Sequence, residues 1–63
     1  MNLGANIRRR RDKLRLTRRA VAEQLAVDPM TIYRWETGER TPTIPALRRL
    51  AEVLRVKPGR LLD

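Results

Sequence analysis

TRRAVAEQLAVDPMTIYRWETGERTP, residues Thr17 to Pro42, is the stretch that decides how this chain folds. Thr17 suits a helix N-cap, because its hydroxyl can accept a backbone N–H from the next turn. Val21, Ala22 and Leu25 then recur at helical spacing and make one apolar face. Ala26 and Val27 form a turn. Asp28 and Pro29 start a new helix: the carboxylate caps it, and proline at the first helical position gives up an N–H that has no intrahelical partner. Gly38 ends that helix, since a left-handed residue after the last turn is easy for glycine. The stretch predicts two short helices, one ending near Leu25 and one over about 29–37, joined by a tight turn.

The second of these helices has two different sides. Ile32 and Trp35, three apart, turn one face into a core. Ala22 is small where the preceding helix should cross closely. Met30, Tyr33, Arg34 and Thr37 are left on the opposite side, again at i, i+3, i+4, i+7. Single exposed apolar residues are ordinary on protein surfaces. A methionine and a tyrosine flanking an arginine on one stripe are better explained by contact with base edges in a nucleic-acid groove.

Outward from this unit the pattern stays helical. Leu3, Ile7 and Leu14 place a first helix over 3–14, whose other faces are nearly all arginine, and Leu16 lies in the link that follows. Beyond the polar loop Glu39–Pro42, Thr43 can cap a fourth helix that tolerates Pro45 in its first turn. Leu47, Leu50, Ala51 and Leu54 line it. Val56 and Pro58 open a last short helix through Leu62, weakly encoded because Lys57 is a poor cap and Gly59 lowers helix propensity. The expectation is one all-α domain over residues 1–63: five short helices and no strand.

Composition narrows the function. A 63-residue chain buries only roughly 60% of the surface it exposes when unfolded, so stability should be marginal. With no cysteine and no histidine, disulfides, thiolate metal sites, zinc fingers and the usual nucleophile–base pairs are excluded. No carboxylates cluster either, so no enzyme, cofactor or metal is expected. No apolar run approaches the ~18 residues of a membrane span, and no leader pattern is present, which makes a cytosolic protein the default. The net charge is +8, and 13 of the 15 basic residues are arginine, the side chain that grips phosphate and guanine bidentately. Solubility or an arginine-rich genome gives a similar balance, so charge supports a polyanion partner without settling it.

Two of the arginines oppose their own helix. Arg18 and Arg19 fall in the first turn after Thr17, where positive charge costs about 0.3–1 kcal/mol. A phosphate held there by the guanidinium groups and the helix start would offset this; a solvated face is the plainer alternative. Arg40, in the loop after the third helix, is a second phosphate candidate. Arg48 and Arg49 read as solvent-facing.

Taken together, the chain resembles the Cro and phage-repressor family of helix-turn-helix proteins, also called XRE-like. The resemblance rests on Ile7-Arg8 and Arg11, Leu16-Thr17, Val21-Ala22 with Leu25, and Ile32 with Trp35-Glu36. It continues through Gly38, Arg40, Pro42, Leu47, Leu50-Ala51, Leu54, Val56 and Leu61-Leu62. It implies a compact lambda-repressor-like fold whose second and third helices form the helix-turn-helix. The third would be the recognition helix in the major groove, with Pro29, Met30, Tyr33 and Arg34 nearest the bases. Arg11, Arg18, Arg19, Thr37, Gly38 and Arg40 would make up the phosphate side. It also implies an ion pair, Arg11 with Glu36, tying the first helix to the third. Relatives usually carry glutamine where Arg18 stands, glycine where Arg15, Ala26 and Arg55 stand, and often leucine where Arg10 stands. The glycine positions are helix ends that favour a left-handed conformation.

The leading reading is therefore a sequence-specific double-stranded DNA-binding protein, a transcriptional repressor or the DNA-binding module of one, working in a bacterial nucleoid or a phage-infected cell. The resemblance implies a palindromic operator and a weak homodimer through the surface around Val56–Leu62, formed in solution or only on DNA. An antitoxin-type interaction module on the same fold is the alternative, disfavoured by the absence of a tail beyond Asp63. RNA binding lacks an aromatic platform, since Trp35 and Tyr33 are the only aromatics and Trp35 is expected in the core.

Overall fold

Short polar side chains set where three of the helices begin. The computed structural model describes residues 2–63 and contains α1 (Leu3–Lys13), α2 (Arg18–Leu25), α3 (Pro29–Thr37), α4 (Ile44–Val53) and α5 (Pro58–Leu62), with no strand among the described residues. Thr17 Oγ1 accepts the N–H of Ala20 at 3.0 Å, Asp28 Oδ1 that of Met30 at 2.7 Å, and Thr43 Oγ1 that of Ala46 at 3.3 Å. Each satisfies one of the donors that a helix start leaves without an intrahelical partner. Lys57 makes no such side-chain bond at the start of α5, as its residue type suggests.

Three helices end alike. After α1, Arg15 N–H reaches Asp12 O (3.0 Å) and Leu16 N–H reaches Arg11 O (3.0 Å). Ala26 and Val27 repeat the pattern on Glu23 and Ala22, and Arg55 and Val56 on Glu52 and Ala51. This pair of bonds is the Schellman ending. It needs a left-handed residue at its corner and places an apolar residue next, packed back on the helix. The corner residues are Arg15 (φ 57°), Ala26 (φ 57°) and Arg55 (φ 60°), and the apolar residues Leu16, Val27 and Val56 pack against the core. These are the three positions where the family resemblance led us to expect glycine. The motif survives without it, at a strain of about 1–2 kcal/mol per residue. Gly38, at φ 84°, closes α3 without that strain.

The core draws on all five helices: Ile7 from α1, Val21, Ala22 and Leu25 from α2, Ile32 and Trp35 from α3, Leu47, Leu50 and Ala51 from α4 with Leu54 at its end, and Leu61 from α5. α3 packs against both α1 and α2, while α4 and α5 close the far side. Ala22 is almost fully buried, as a close α2–α3 crossing requires.

Four features of the packing were not anticipated from the sequence. Gly4 lies where α1 meets the end of α3: a Cβ there would collide with the Glu36 carbonyl oxygen and stand 2.8 Å from that of Trp35. Asn6 is buried and donates from Nδ2 to the carbonyls of Leu61 and Asp63, both at 3.0 Å, tying α1 to the end of α5. Arg10 donates from Nε to Leu54 O (2.8 Å) and from Nη2 to Arg55 O (3.2 Å), capping α4 from 44 residues away. Arg49 is exposed, as expected, but also donates from Nη2 to Leu25 O at the end of α2 (3.2 Å). Both arginines bring positive charge to the negative end of a helix.

These contacts predict opposite results for changes at surface and seam. Ala26→Gly, Arg15→Gly and Arg55→Gly should each raise stability by about 0.5–1 kcal/mol, the relieved strain less the entropy that glycine loses on folding. Gly4→Ala should lower it by about 1–3 kcal/mol, because the obstruction is backbone on both sides. Urea denaturation midpoints test both.

Candidate nucleic-acid interface

Glu36 sits in the last turn of α3, and its side chain is only 2% exposed. A carboxylate so far from water needs strong donors, because an unpaired buried charge is costly. It has two. Arg11 of α1 approaches as a fork, Nε to Oε2 at 2.6 Å and Nη2 to Oε1 at 3.3 Å. Arg18 of α2 adds Nε to the same Oε1 at 3.0 Å. Three helices thus meet at one carboxylate. Arg11 also donates from Nη1 to Leu16 O (2.8 Å), fixing the α1–α2 link, and approaches Asp12 at 3.3 Å.

Arg11 is 10% exposed at its side chain, and all three of its nitrogens are engaged. Its hydrogen bond to Glu36 holds the guanidinium above the ordinary arginine value, against the opposing pull of burial. A group raised in the folded state contributes its stability at every pH below its unfolded value, and loses it only in strong alkali. The resemblance offered Arg11 both as a structural partner of Glu36 and as a phosphate contact. In this geometry the first role consumes the donors that the second would need.

With Glu36 anchored on its flank, the side of α3 away from Ile32 and Trp35 is open. Met30 is 49% exposed and Tyr33 43%, and Pro29, Arg34 and Thr37 are exposed beside them. Arg34 Nε lies 3.4 Å from Glu39 Oε2, an exposed pair that is weakly held. Thr37 Oγ1 donates to Arg34 O (3.2 Å) and accepts from Glu39 N (3.4 Å). Arg40 N–H returns to Arg34 O at 3.2 Å, so the loop through Gly38 folds back on the helix end. The Arg19 and Arg40 side chains are on the surface. Trp35 lies in the core, on the other side of α3 from the open stripe.

Arg18 differs from what its position in the first turn of α2 suggested. Its Nε is committed to Glu36, and its Cζ stands 5.0 Å from the centroid of the Tyr33 ring, within cation–π range. The side chain is 36% exposed. Sequence spacing gave no signal for this, because Arg18 and Tyr33 belong to different helices.

Comparison with known proteins agrees with this fold. The chain matches the helix-turn-helix domain profile over residues 2–63 and belongs to that family. It is 34% identical over 62 residues to the HTH-type transcriptional regulator DicA of Escherichia coli (strain K12); the match covers 98% of this chain and 46% of that protein. The chain therefore spans less than half the length of that curated relative. It superposes with a TM-score of 0.91 and 31% identity on the P22 c2 repressor protein, solved in complex with synthetic operator 9T, covering 97% of this chain and 92% of the other. The resemblance to phage repressors and the five-helix all-α fold are thus both borne out. The hydroxypropylphosphonic acid epoxidase from S. wedmorenis also superposes, at TM-score 0.89 and 31% identity, over 95% of this chain but only 32% of that enzyme. The same fold thus also forms part of a larger protein, and fold alone does not fix function.

Glu36→Ala would leave Arg11 buried without its main partner and free Arg18 as well. It should cost about 2–4 kcal/mol, between a half-exposed pair and a fully buried one. Glu36→Gln keeps the shape and one acceptor, and should lose less. Thermal unfolding monitored by helical circular dichroism gives both values.

Proposed function

We propose that this domain is a sequence-specific double-stranded DNA-binding module of a transcriptional regulator, with α3 entering the major groove. The observation that carries this reading is the open stripe of Met30, Tyr33 and Arg34 on a helix whose opposite side is buried through Ile32 and Trp35 and whose flank is locked through Glu36. The superposition on a repressor solved with operator DNA supports it. Arg34 is suited to a bidentate contact with guanine O6 and N7, and leaving Glu39 for the base costs little. Met30 can pack on a thymine methyl, and Pro29 and Tyr33 complete the base-proximal set. Arg40, Arg19, Thr37, the backbone at Gly38 and the remaining guanidinium nitrogens of Arg18 supply the phosphate side. The domain acts by binding and carries no catalytic role. It works in the cytoplasm, on DNA of the nucleoid or of an infecting phage, and pairs weakly as a homodimer on a palindromic site. Among the described residues, no helix is long and apolar enough to cross a membrane.

Selection from a random duplex pool followed by sequencing tests this directly. A palindromic consensus is expected, and enrichment of no sequence would overturn the reading. Arg34→Ala should weaken the best site by about 1–3 kcal/mol and relax preference at one guanine. Arg40→Ala should weaken all duplexes alike and lower the salt slope by about one unit. Equal losses on every sequence from both variants would make Arg34 a phosphate contact.

A further inference from the structure

We infer that Arg18 is a positioning residue for sequence reading: it roofs the Tyr33 ring and holds it in one orientation toward the groove. The inference rests on the DNA-binding reading above and concerns which base preference depends on which residue.

Glu36 and Tyr33 are three residues apart on α3, and Arg18 reaches both from α2. Its Nε is fixed at 3.0 Å from Glu36 Oε1, on a carboxylate that Arg11 also grips. From that anchor the guanidinium lies with its Cζ 5.0 Å from the Tyr33 centroid. A cation that serves only to meet phosphate gains nothing from being tethered to a buried carboxylate. A cation that must keep a half-exposed ring still gains a great deal. An exposed tyrosine on a helix face samples several side-chain orientations, and fixing one of them on binding costs affinity. Stacked under Arg18, Tyr33 meets DNA with that choice already made. The arrangement needs a guanidinium. Its planar group can bond through Nε at one edge and cover a ring with its face, whereas lysine has a single ammonium that can occupy only one of the two places.

The roles predict different behaviour for the same substitution. A phosphate contact adds the same increment on every duplex, and any cation restores it. A positioning contact affects discrimination at the base pairs that Tyr33 meets, and lysine does not restore it. The test uses the whole chain as wild type, Arg18→Ala, Arg18→Lys, Tyr33→Leu and the double variant Arg18→Ala/Tyr33→Leu. Each is taken through random-pool selection, and its binding is measured on the best site and its single-position changes over a salt series. Arg18→Ala should flatten preference about 2–5-fold, the range of a surface cation–π contact, at the positions that Tyr33→Leu also flattens. The double variant should discriminate no worse than Tyr33→Leu alone. Arg18→Lys should recover the salt slope but not the preference. In the free protein, the Arg18 side-chain protons should show a ring-current shift that Tyr33→Leu abolishes.

Uniform loss on all duplexes from Arg18→Ala, with full rescue by lysine, would overturn the inference, as would Arg18 proton shifts indifferent to Tyr33→Leu. A wild-type chain without any duplex preference overturns the functional reading and this inference with it; the wild-type selection tells that case apart from failure of the inference alone.

Discussion

The Glu36 carboxylate is the constraint on which the rest of the molecule depends. It is nearly removed from water, and its charge is tolerable only because Arg11 and Arg18 converge on it. Those two partners come from α1 and α2, so satisfying one buried charge fixes the rotation and depth of α3 relative to both. A chain this small has little apolar core with which to specify such a geometry. A directional, charge-assisted contact supplies what apolar packing does less sharply: it fixes which residues of α3 face inward, and so which face outward. The stripe of Met30, Tyr33 and Arg34 is the outward half of that choice.

Much of the fold was legible because it is local. Thr17, Asp28 and Thr43 cap the helices they precede, Pro29 and Pro45 sit in first turns, and Gly38 closes α3, all by short-range rules that depend only on neighbouring residues. The buried side of α3 followed from the spacing of Ile32 and Trp35. The Arg11–Glu36 pairing and the special helix ends at Arg15, Ala26 and Arg55 came instead from the family resemblance. Neither residue spacing nor composition singles out an arginine or an alanine as left-handed.

What escaped the sequence is non-local and rests on individual atoms. Gly4 is the point where the α3 backbone comes too close for any side chain, and nothing in its neighbouring residues marks it. Asn6 finds its partners 55 and 57 residues away. Arg10 and Arg49 use long flexible arms to cap helices other than their own, and their sequence neighbourhood does not name the carbonyl they reach. Arg18 bridges to Glu36 and Tyr33 by the same means. The arginine count therefore overstates the cations free to meet a polyanion, since several hold the domain together.

The three strained helix ends carry a consequence for how this surface tolerates change. Arg15, Ala26 and Arg55 are exposed, and exposure ordinarily marks a position as permissive. Here the backbone, not the surroundings, does the selecting. A β-branched residue at positive φ is a genuine outlier, so valine, isoleucine and threonine are excluded there although nothing crowds the site from outside. Glycine, asparagine and aspartate are admitted. A map of permitted substitutions would therefore show three solvent-facing sites that filter by backbone conformation rather than by size or polarity.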